Sequence, residues 1–264
     1  MDMDSKIPLS VAIITKNEAD NLPACLESLF FAEQIVVVDS HSTDSTVQIA
    51  SDFGCEVFIE DWRGFGLQKQ SAVDHCRHRW VLILDADERI PRETALKIRD
   101  IVLDPYAAFA GYSFPRKNFF QGRWIRHAGW WPDRVTRLFQ KDLGRVTPAM
   151  VHESVEVNGT VVALDVPIEH LTESRLSRLL LKIESYSTLG AREAFARGRK
   201  TSIWSAAMRA FLTFFQDYFL RLGILDGHQG LTLAVTDAVN KFFKYAKLNE
   251  LNRQGKSGSR SGSY

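Results

Sequence analysis

The sequence predicts an α/β protein: a mainly parallel sheet with helices on both faces, a β-hairpin region, and a C-terminal amphipathic helical extension. Three observations lead there. Short apolar, β-branched runs alternate with amphipathic segments up to Pro105, which implies βαβ units and parallel strands. Strand-like runs then follow one another without helices between them. From Arg175 onward the apolar positions recur at helical spacing.

The elements follow in order. SVAIIT (10–15) reads as a buried strand, and Asn21 then precedes Leu22-Pro23 as a helix start, with Leu22, Leu26, Leu29 and Phe30 on one face. IVVVDS (35–40) is a second strand; Ser42, Thr43 and Asp44 supply capping groups for a helix through Phe53, with Gly54 beyond it. CEVFIED is a third strand and 68–76 a helix. WVLILDAD is a fourth strand, leading into a helix over 93–102. YSFPRKNFF and VTRLFQK read as strands around the loop GRWIRHAGWWPD. VHESVEV and TVVALDV flank Asn158-Gly159, a strong hairpin signal. Helices are expected from Arg175, over about 203–222, and over 231–248. The expected division is a catalytic domain over 1–172, a helical region over 173–250 and a flexible polar tail over 251–264.

Composition narrows the function classes. The chain has 264 residues and is 45% hydrophobic, enough for a sizeable core. Its 33 Lys and Arg against 32 Asp and Glu leave a net charge of +1, which argues against a nucleic-acid binder. Cys25, Cys55 and Cys76 are odd in number and far apart, so a reducing cytoplasm is expected rather than a disulfide framework. The start MDMDSKIPLS lacks the apolar core of a signal peptide, and no apolar run approaches the ~18 residues of a membrane span.

The run VLILDADERI (81–90) raises the chemical question, because four apolar residues lead directly into Asp85, Asp87 and Glu88. Carboxylates that close disfavour one another's ionisation unless a cation or hydrogen-bond donors neutralise them. A solvated loop opening a helix at Pro91 is the plain alternative. Glu18 follows the first strand and Asp39 the second, however, so a parallel sheet gathers all of these carboxylates on one edge, where open α/β sheets bind ligands.

Taken in their order and spacing, VAIITKNEADNL, IVVVDSHSTDST and WVLILDADE resemble the family 2 glycosyltransferases of the GT-A (Rossmann-like) fold, inverting enzymes that use nucleotide sugars. WWPDRVTRLF, VHESV, PIEH and LGILDGHQG are similar to the branch that contains lipopolysaccharide-core β-glucosyltransferases, and the resemblance spans about residues 8–250. It implies that Thr15, Asn17 and Glu18 line a nucleotide pocket and that Asp39 hydrogen-bonds uracil. It also implies that Asp85 lies near the ribose and the metal, and that Asp87 binds a Mg²⁺ or Mn²⁺ bridging the diphosphate. Hard oxygen ligands suit those ions, and the metal offsets charge developing on the departing UDP. Lys69 is expected to add positive charge near the phosphates, and His170, ending VPIEH, to complete the metal or diphosphate site. A lone strand-end histidine is otherwise structural more often than not.

An inverting transfer needs one base for the acceptor hydroxyl. Glu153 is the candidate, because Val151, Glu153, Val155 and Val157 alternate onto one face of their expected strand. A carboxylate on an apolar face is costly unless it is functional or paired. An ion pair with an arginine such as Arg134 or Arg137 is the alternative, and Asp133 in WWPDR is the reserve base. Trp130 and Trp131 are candidates to stack on a sugar ring. HCRHR (75–79) has metal-ligand residue types but no matching second pair, so no zinc site is expected.

Residues 175–221 carry nine Lys and Arg against three Asp and Glu, together with Trp204, Phe211, Phe214, Phe215, Tyr218 and Phe219. Basic, aromatic-rich amphipathic helices lie in membrane interfaces, so peripheral contact with the inner face of the cell membrane is one expectation, and packing on the catalytic domain the other. The function expected is transfer of a sugar, with glucose first, from a UDP-sugar to a lipid-linked or lipopolysaccharide-core glycan. The rivals are transfer to a polyprenyl phosphate or a peptide, and a non-catalytic membrane-interface module. A nucleotidyltransferase would carry a Gly-rich, Arg-containing loop where this chain has TKNEADN, and a phosphatase would carry its Asp-x-Asp after the first strand.

Overall fold

A computed structural model describes residues 5–148, 153–172 and 176–258. The chain forms two compact units, one of Met1–Lys117 with Pro132–His170, the other of Asn118–Trp131 with Leu171–Tyr264.

The first unit is built on β1 (Ile7–Thr15), α1 (Leu22–Glu27), β2 (Ala32–Asp39), α2 (Thr46–Asp52), β3 (Glu56–Ile59), α3 (Phe65–Asp74), β4 (Trp80–Asp85), β5 (Glu88–Arg89) and α4 (Arg92–Leu103). The neighbours β3, β2, β1 and β4 are parallel. Strands β6 (Gly111–Phe120), β7 (Arg123–Trp124) and β8 (Asp133–Gln140) follow, with β8 running antiparallel to both β4 and β6. The sheet is therefore mixed, in the order β3-β2-β1-β4-β8-β6 and onward through β12 (Ile168–Leu171) to β5.

Alternation along the strands makes two cores. Leu9, Val11 and Ile13 of β1 with Leu82 and Leu84 of β4 face the helices α1, α2 and α4 through Leu22, Leu26, Ala50, Ala95 and Ile98. Ala12, Val36, Val38, Val81 and Ile83 point the other way, onto Ala72 and Val73 of α3. Residues fully buried on both faces of a strand read as continuous apolar runs, which is why these strands were visible in the sequence.

Local details depart from expectation. Asn21 precedes α1 without capping it; its side-chain amide donates to Glu18 Oε2 at 2.7 Å instead. Asp44, one residue before the N-cap position Ser45, accepts the Thr46 backbone N–H at 3.0 Å, while Ser45 itself makes no side-chain cap bond. The hairpin expected across Asn158-Gly159 does not form. Strand β10 (Val155–Val157) pairs antiparallel with β9 (Gly144–Val146), and β11 (Val161–Ala163) adds parallel to β6. Gly159 sits at φ 137°, where its turn redirects the chain from one partner to another rather than folding it back on itself. Glu153 accordingly precedes β10 rather than lying within a strand, and Val151 lies outside the described residues.

In the second unit, α5 (Leu176–Ala196), α6 (Ile203–Phe215) and a π-helical turn over Gln216–Leu220 lead through a 3₁₀ turn over Gly223–Asp226 into α7 (Gly227–Gly258). Helix α7 starts before position 231 and continues through residues expected to form the tail; 259–264 lie outside the described residues. Asp226 anchors the turn, accepting the His127 backbone N–H at 2.9 Å. Trp130 packs with Phe120, Ile125 and Leu233, and Trp131 stands edge-on to Trp124, so both tryptophans have packing partners inside this unit.

Gly144 tests the packing beneath β9. A Cβ there would stand 2.1 Å from the buried Phe139 ring. Gly144→Ala should destabilise the protein by roughly 1–3 kcal/mol, the usual cost of overpacking. Urea denaturation measures it, and an unchanged midpoint would mean that the ring moves aside freely.

Candidate active site

The register of the central strands places the strand ends side by side. Thr15 pairs with Asp39, and Ile14 pairs with Asp85, so the carboxyl ends of β1, β2 and β4 share one edge.

On that edge Asp39 is fully buried and braces two loops. It accepts the Thr15 hydroxyl at 2.8 Å, the Ser42 backbone N–H at 2.7 Å and the Ser42 hydroxyl at 2.5 Å. Asn17, in the left-handed region at φ 56°, accepts the Thr43 backbone N–H at 2.7 Å. The Glu18 backbone N–H donates to Thr46 Oγ1 at 2.8 Å. These bonds stitch the loop after β1 to the loop after β2, and they bring Thr15, Asn17, Glu18 and Asp39 to the same sheet edge.

The DADE segment is neutralised by cations from distant parts of the chain. Arg137 of β8 donates through Nη2 to Asp85 Oδ2 and Glu88 Oε1, both at 2.6 Å. Lys69 of α3 stands 2.7 Å from Asp85 Oδ1 and 2.7 Å from Glu153 Oε1. Arg116 of β6 lies 3.5 Å from Glu88 Oε1 and 2.5 Å from Asp133 Oδ2. Negative and positive charges thus alternate in one chain of contacts: Glu153, Lys69, Asp85, Arg137, Glu88, Arg116, Asp133. Both candidate bases are its ends. Glu153 pairs with Lys69, not with Arg134 or Arg137.

Burial determines what these contacts mean. Glu88 is 0% exposed, Arg137 6% and Lys69 5%. Burial pushes the Asp85 carboxyl up, but Arg137 and Lys69 push it further the other way and hold it well below the usual carboxylate range. Burial pushes the Arg137 guanidinium down while Asp85 and Glu88 hold it above its ordinary value. Both therefore stay charged. Lys69, expected to add positive charge near the phosphates, is held between two carboxylates.

Asp87 is the member of DADE outside this ladder. The pairing of β12 with β5 sets His170 opposite Glu88, and His170 Nε2 lies 3.3 Å from Asp87 Oδ2. Both side chains are partly open, at 19% and 27% exposure. A carboxylate oxygen beside an imidazole nitrogen is a donor pair that suits Mn²⁺ or Mg²⁺ when diphosphate and water fill the remaining positions. No group of three or more His, Cys, Asp or Glu among the described residues is arranged to hold a metal by itself. Both oxygens of Asp85 already accept an ion pair.

Arg137 was considered in the sequence only as a partner for Glu153, and Arg116 was missed. Arg137 had a legible signal, since Val135, Arg137 and Phe139 alternate onto one strand face and put a cation among apolar side chains. Arg116, between exposed-looking lysine and proline neighbours in FPRKN, had none.

The family model for glycosyl transferase family 2 matches residues 10–155. A glycosyltransferase from Rickettsia bellii, itself named as uncharacterized, is 30% identical over 96% of this chain and 90% of its own length. The lipopolysaccharide core biosynthesis glycosyltransferase LpsC of Rhizobium meliloti is 32% identical over 93% of each chain. Among solved structures, the mannosyltransferase PcManGT from Pyrobaculum calidifontis, in complex with GDP-Man and Mn²⁺, is similar with a TM-score of 0.52. It is 16% identical, over 95% of this chain and 89% of that one, a likeness of fold alone. With its mixed sheet, helices on both sides and C-terminal helical extension, the chain has the GT-A architecture and belongs to glycosyl transferase family 2.

Proposed function

We propose that this glycosyltransferase is an inverting hexosyltransferase that moves a sugar, glucose first, from a UDP-sugar to a lipopolysaccharide-core or other lipid-linked glycan. The observation that carries the reading is the alignment of Thr15, Asp39 and Asp85 at one sheet edge, with Asp87 and His170 beside it. The 32% identity to LpsC over 93% of the chain supports the core-glycan acceptor. The acceptor reading goes with a cytoplasmic protein that touches the inner face of the membrane through residues 175–221.

Donor binding falls to the stitched loops after β1 and β2. Asp39, braced by Thr15 and Ser42, is the group proposed to read the uracil ring, with Asn17 and Glu18 shaping the same pocket. PcManGT was solved with GDP-Man and Mn²⁺, so both UDP and GDP belong in the binding test. Asp87 and His170 are the proposed ligands of a Mg²⁺ or Mn²⁺ ion, which when bound supplies positive charge to the diphosphate. Asp85 acts from behind them. Lys69 and Arg137 fix its position, so the loop carrying Asp87 is held without repulsion inside DADE.

In the transfer, the acceptor oxygen bonds to the anomeric carbon as the bond to the diphosphate breaks, and the acceptor proton passes to a carboxylate. Glu153 is that base in this reading. Its Oε1 is held by Lys69, which leaves Oε2 to take the proton. Asp133, at the far end of the ladder, is the reserve.

Asp87→Ala should abolish UDP-sugar turnover with Mn²⁺ while leaving thermal unfolding unchanged. Isothermal titration of UDP and of GDP, with and without Mn²⁺, reads the donor side of the same variant. Turnover that survives EDTA in the unaltered protein would overturn the metal assignment, and preference for GDP would overturn the nucleotide.

Glu153→Gln keeps size and polarity but removes the base, so transfer should fall by roughly 10²–10⁴. UDP affinity should hardly change, because the lost interaction belongs to the transition state. Near-normal transfer in Glu153→Gln, with collapse in Asp133→Asn, would move the base to the other end of the ladder.

A further inference from the structure

Helix α6 is amphipathic in the inverse sense. Trp204, Met208, Phe211, Phe215 and Phe219 recur at the spacing of one helical face, and that face is exposed; Trp204 alone is 82% open. The packed side carries small or polar residues instead: Ala206 is fully buried and Asp217 is 4% exposed. A helix of a globular protein normally buries its apolar stripe. An exposed stripe of this size marks a surface that meets something apolar. Between α6 and α7 an apolar groove of about 340 Å³ includes Phe211, Phe214, Val239 and Phe242, so the stripe and the groove share Phe211. The apolar surface continues through Leu220, Ile224 and Leu225.

Charge identifies the occupant. From Ala194 to Leu225 the cations are Arg197, Arg199, Lys200, Arg209 and Arg221, and the sole acid is Asp217. Asp217 is buried and offsets Arg221 at 2.9 Å, and Glu193, one residue before this stretch, offsets Arg197 at 2.6 Å, which leaves Arg199, Lys200 and Arg209 as the net charge. Arg199, Lys200 and Arg209 are exposed, with the Arg209 guanidinium over the Tyr245 ring of α7. A second copy of the chain seated on this face would oppose cation to cation. Anionic lipid headgroups would pair with it, while acyl chains receive the aromatic side chains. No helix among the described residues is long and apolar enough to cross a membrane, so the contact lies in the plane of the interface.

We propose that the exposed face of α6 and the turn after it, residues 199–225, docks the protein on an anionic phospholipid surface. This deepens the membrane contact proposed above, dropping helix α5 from the 175–221 stretch and extending it to Leu225. Helix α5 contributes the acids Glu184 and Glu193, and Glu184 is tied to Lys247 of α7 at 2.6 Å. The inference stands on this unit alone and does not depend on the donor, metal or base assigned above.

The test is co-sedimentation of the full chain with vesicles of phosphatidylcholine alone and of phosphatidylcholine with about a third phosphatidylglycerol. Binding should require the anionic lipid and weaken with salt, because salt screens the attraction between exposed cations and anionic headgroups. R199E/K200E should lose roughly fivefold per charge replaced, or more. W204S/F211S should lose at least about tenfold, with an unchanged circular dichroism spectrum, because the burial of two apolar side chains is removed. Turnover of a water-soluble acceptor should be unchanged in all variants. Absence of binding to the anionic vesicles would overturn the proposal, as would unaltered binding of W204S/F211S. A dimer seen by light scattering without vesicles, and abolished in W204S/F211S, would assign the face to a second copy instead.

Discussion

Arg137 lies buried between Asp85 and Glu88, and the chemical edge of the sheet depends on that guanidinium. Two carboxylates that close, one of them fully buried, cannot both stay ionised without a permanent positive charge. A guanidinium suits the place because it stays charged at any physiological pH and presents several donors in a fixed plane. Lys69 supports Asp85 from the opposite side. Once Asp85 and Glu88 are fixed, β5 can pair with β12, and that pairing brings His170 to Asp87. The ladder is therefore the structural condition for the site.

The same ladder explains how far the sequence could be read. Strands β1, β2 and β4 were legible because residues buried on both faces leave continuous apolar runs. Their terminal carboxylates were legible because a core strand does not end in several like charges without cause. The partners of those carboxylates were not legible. Lys69 meets Glu153 across a separation of 84 residues, and nothing local to either position announces it. Glu153 was read as a strand residue from the alternation of neighbouring valines; in the structure, β10 begins only after it and the ion pair with Lys69 defines its place.

The hairpin across Asn158-Gly159 failed for a related reason. A turn dipeptide fixes local backbone geometry, but the choice of sheet partner belongs to long-range register. Here β9 and the edge of β6 offered better partners than the two flanking segments offered each other. In the helical unit the periodicity of α6 correctly located an amphipathic helix. Periodicity does not say which face is buried, and the structure reverses the ordinary answer.

The most direct test of the central claim is a double-mutant cycle in urea denaturation, with Arg137→Met, Glu88→Gln and both together. Arg137→Met alone should cost about 3–5 kcal/mol, since it leaves buried carboxylates without their cation. Adding Glu88→Gln should recover part of that loss, with a coupling of roughly 0.5–3 kcal/mol. Strictly additive losses would contradict the account, because they would mean that Arg137 and Glu88 stabilise the sheet edge independently.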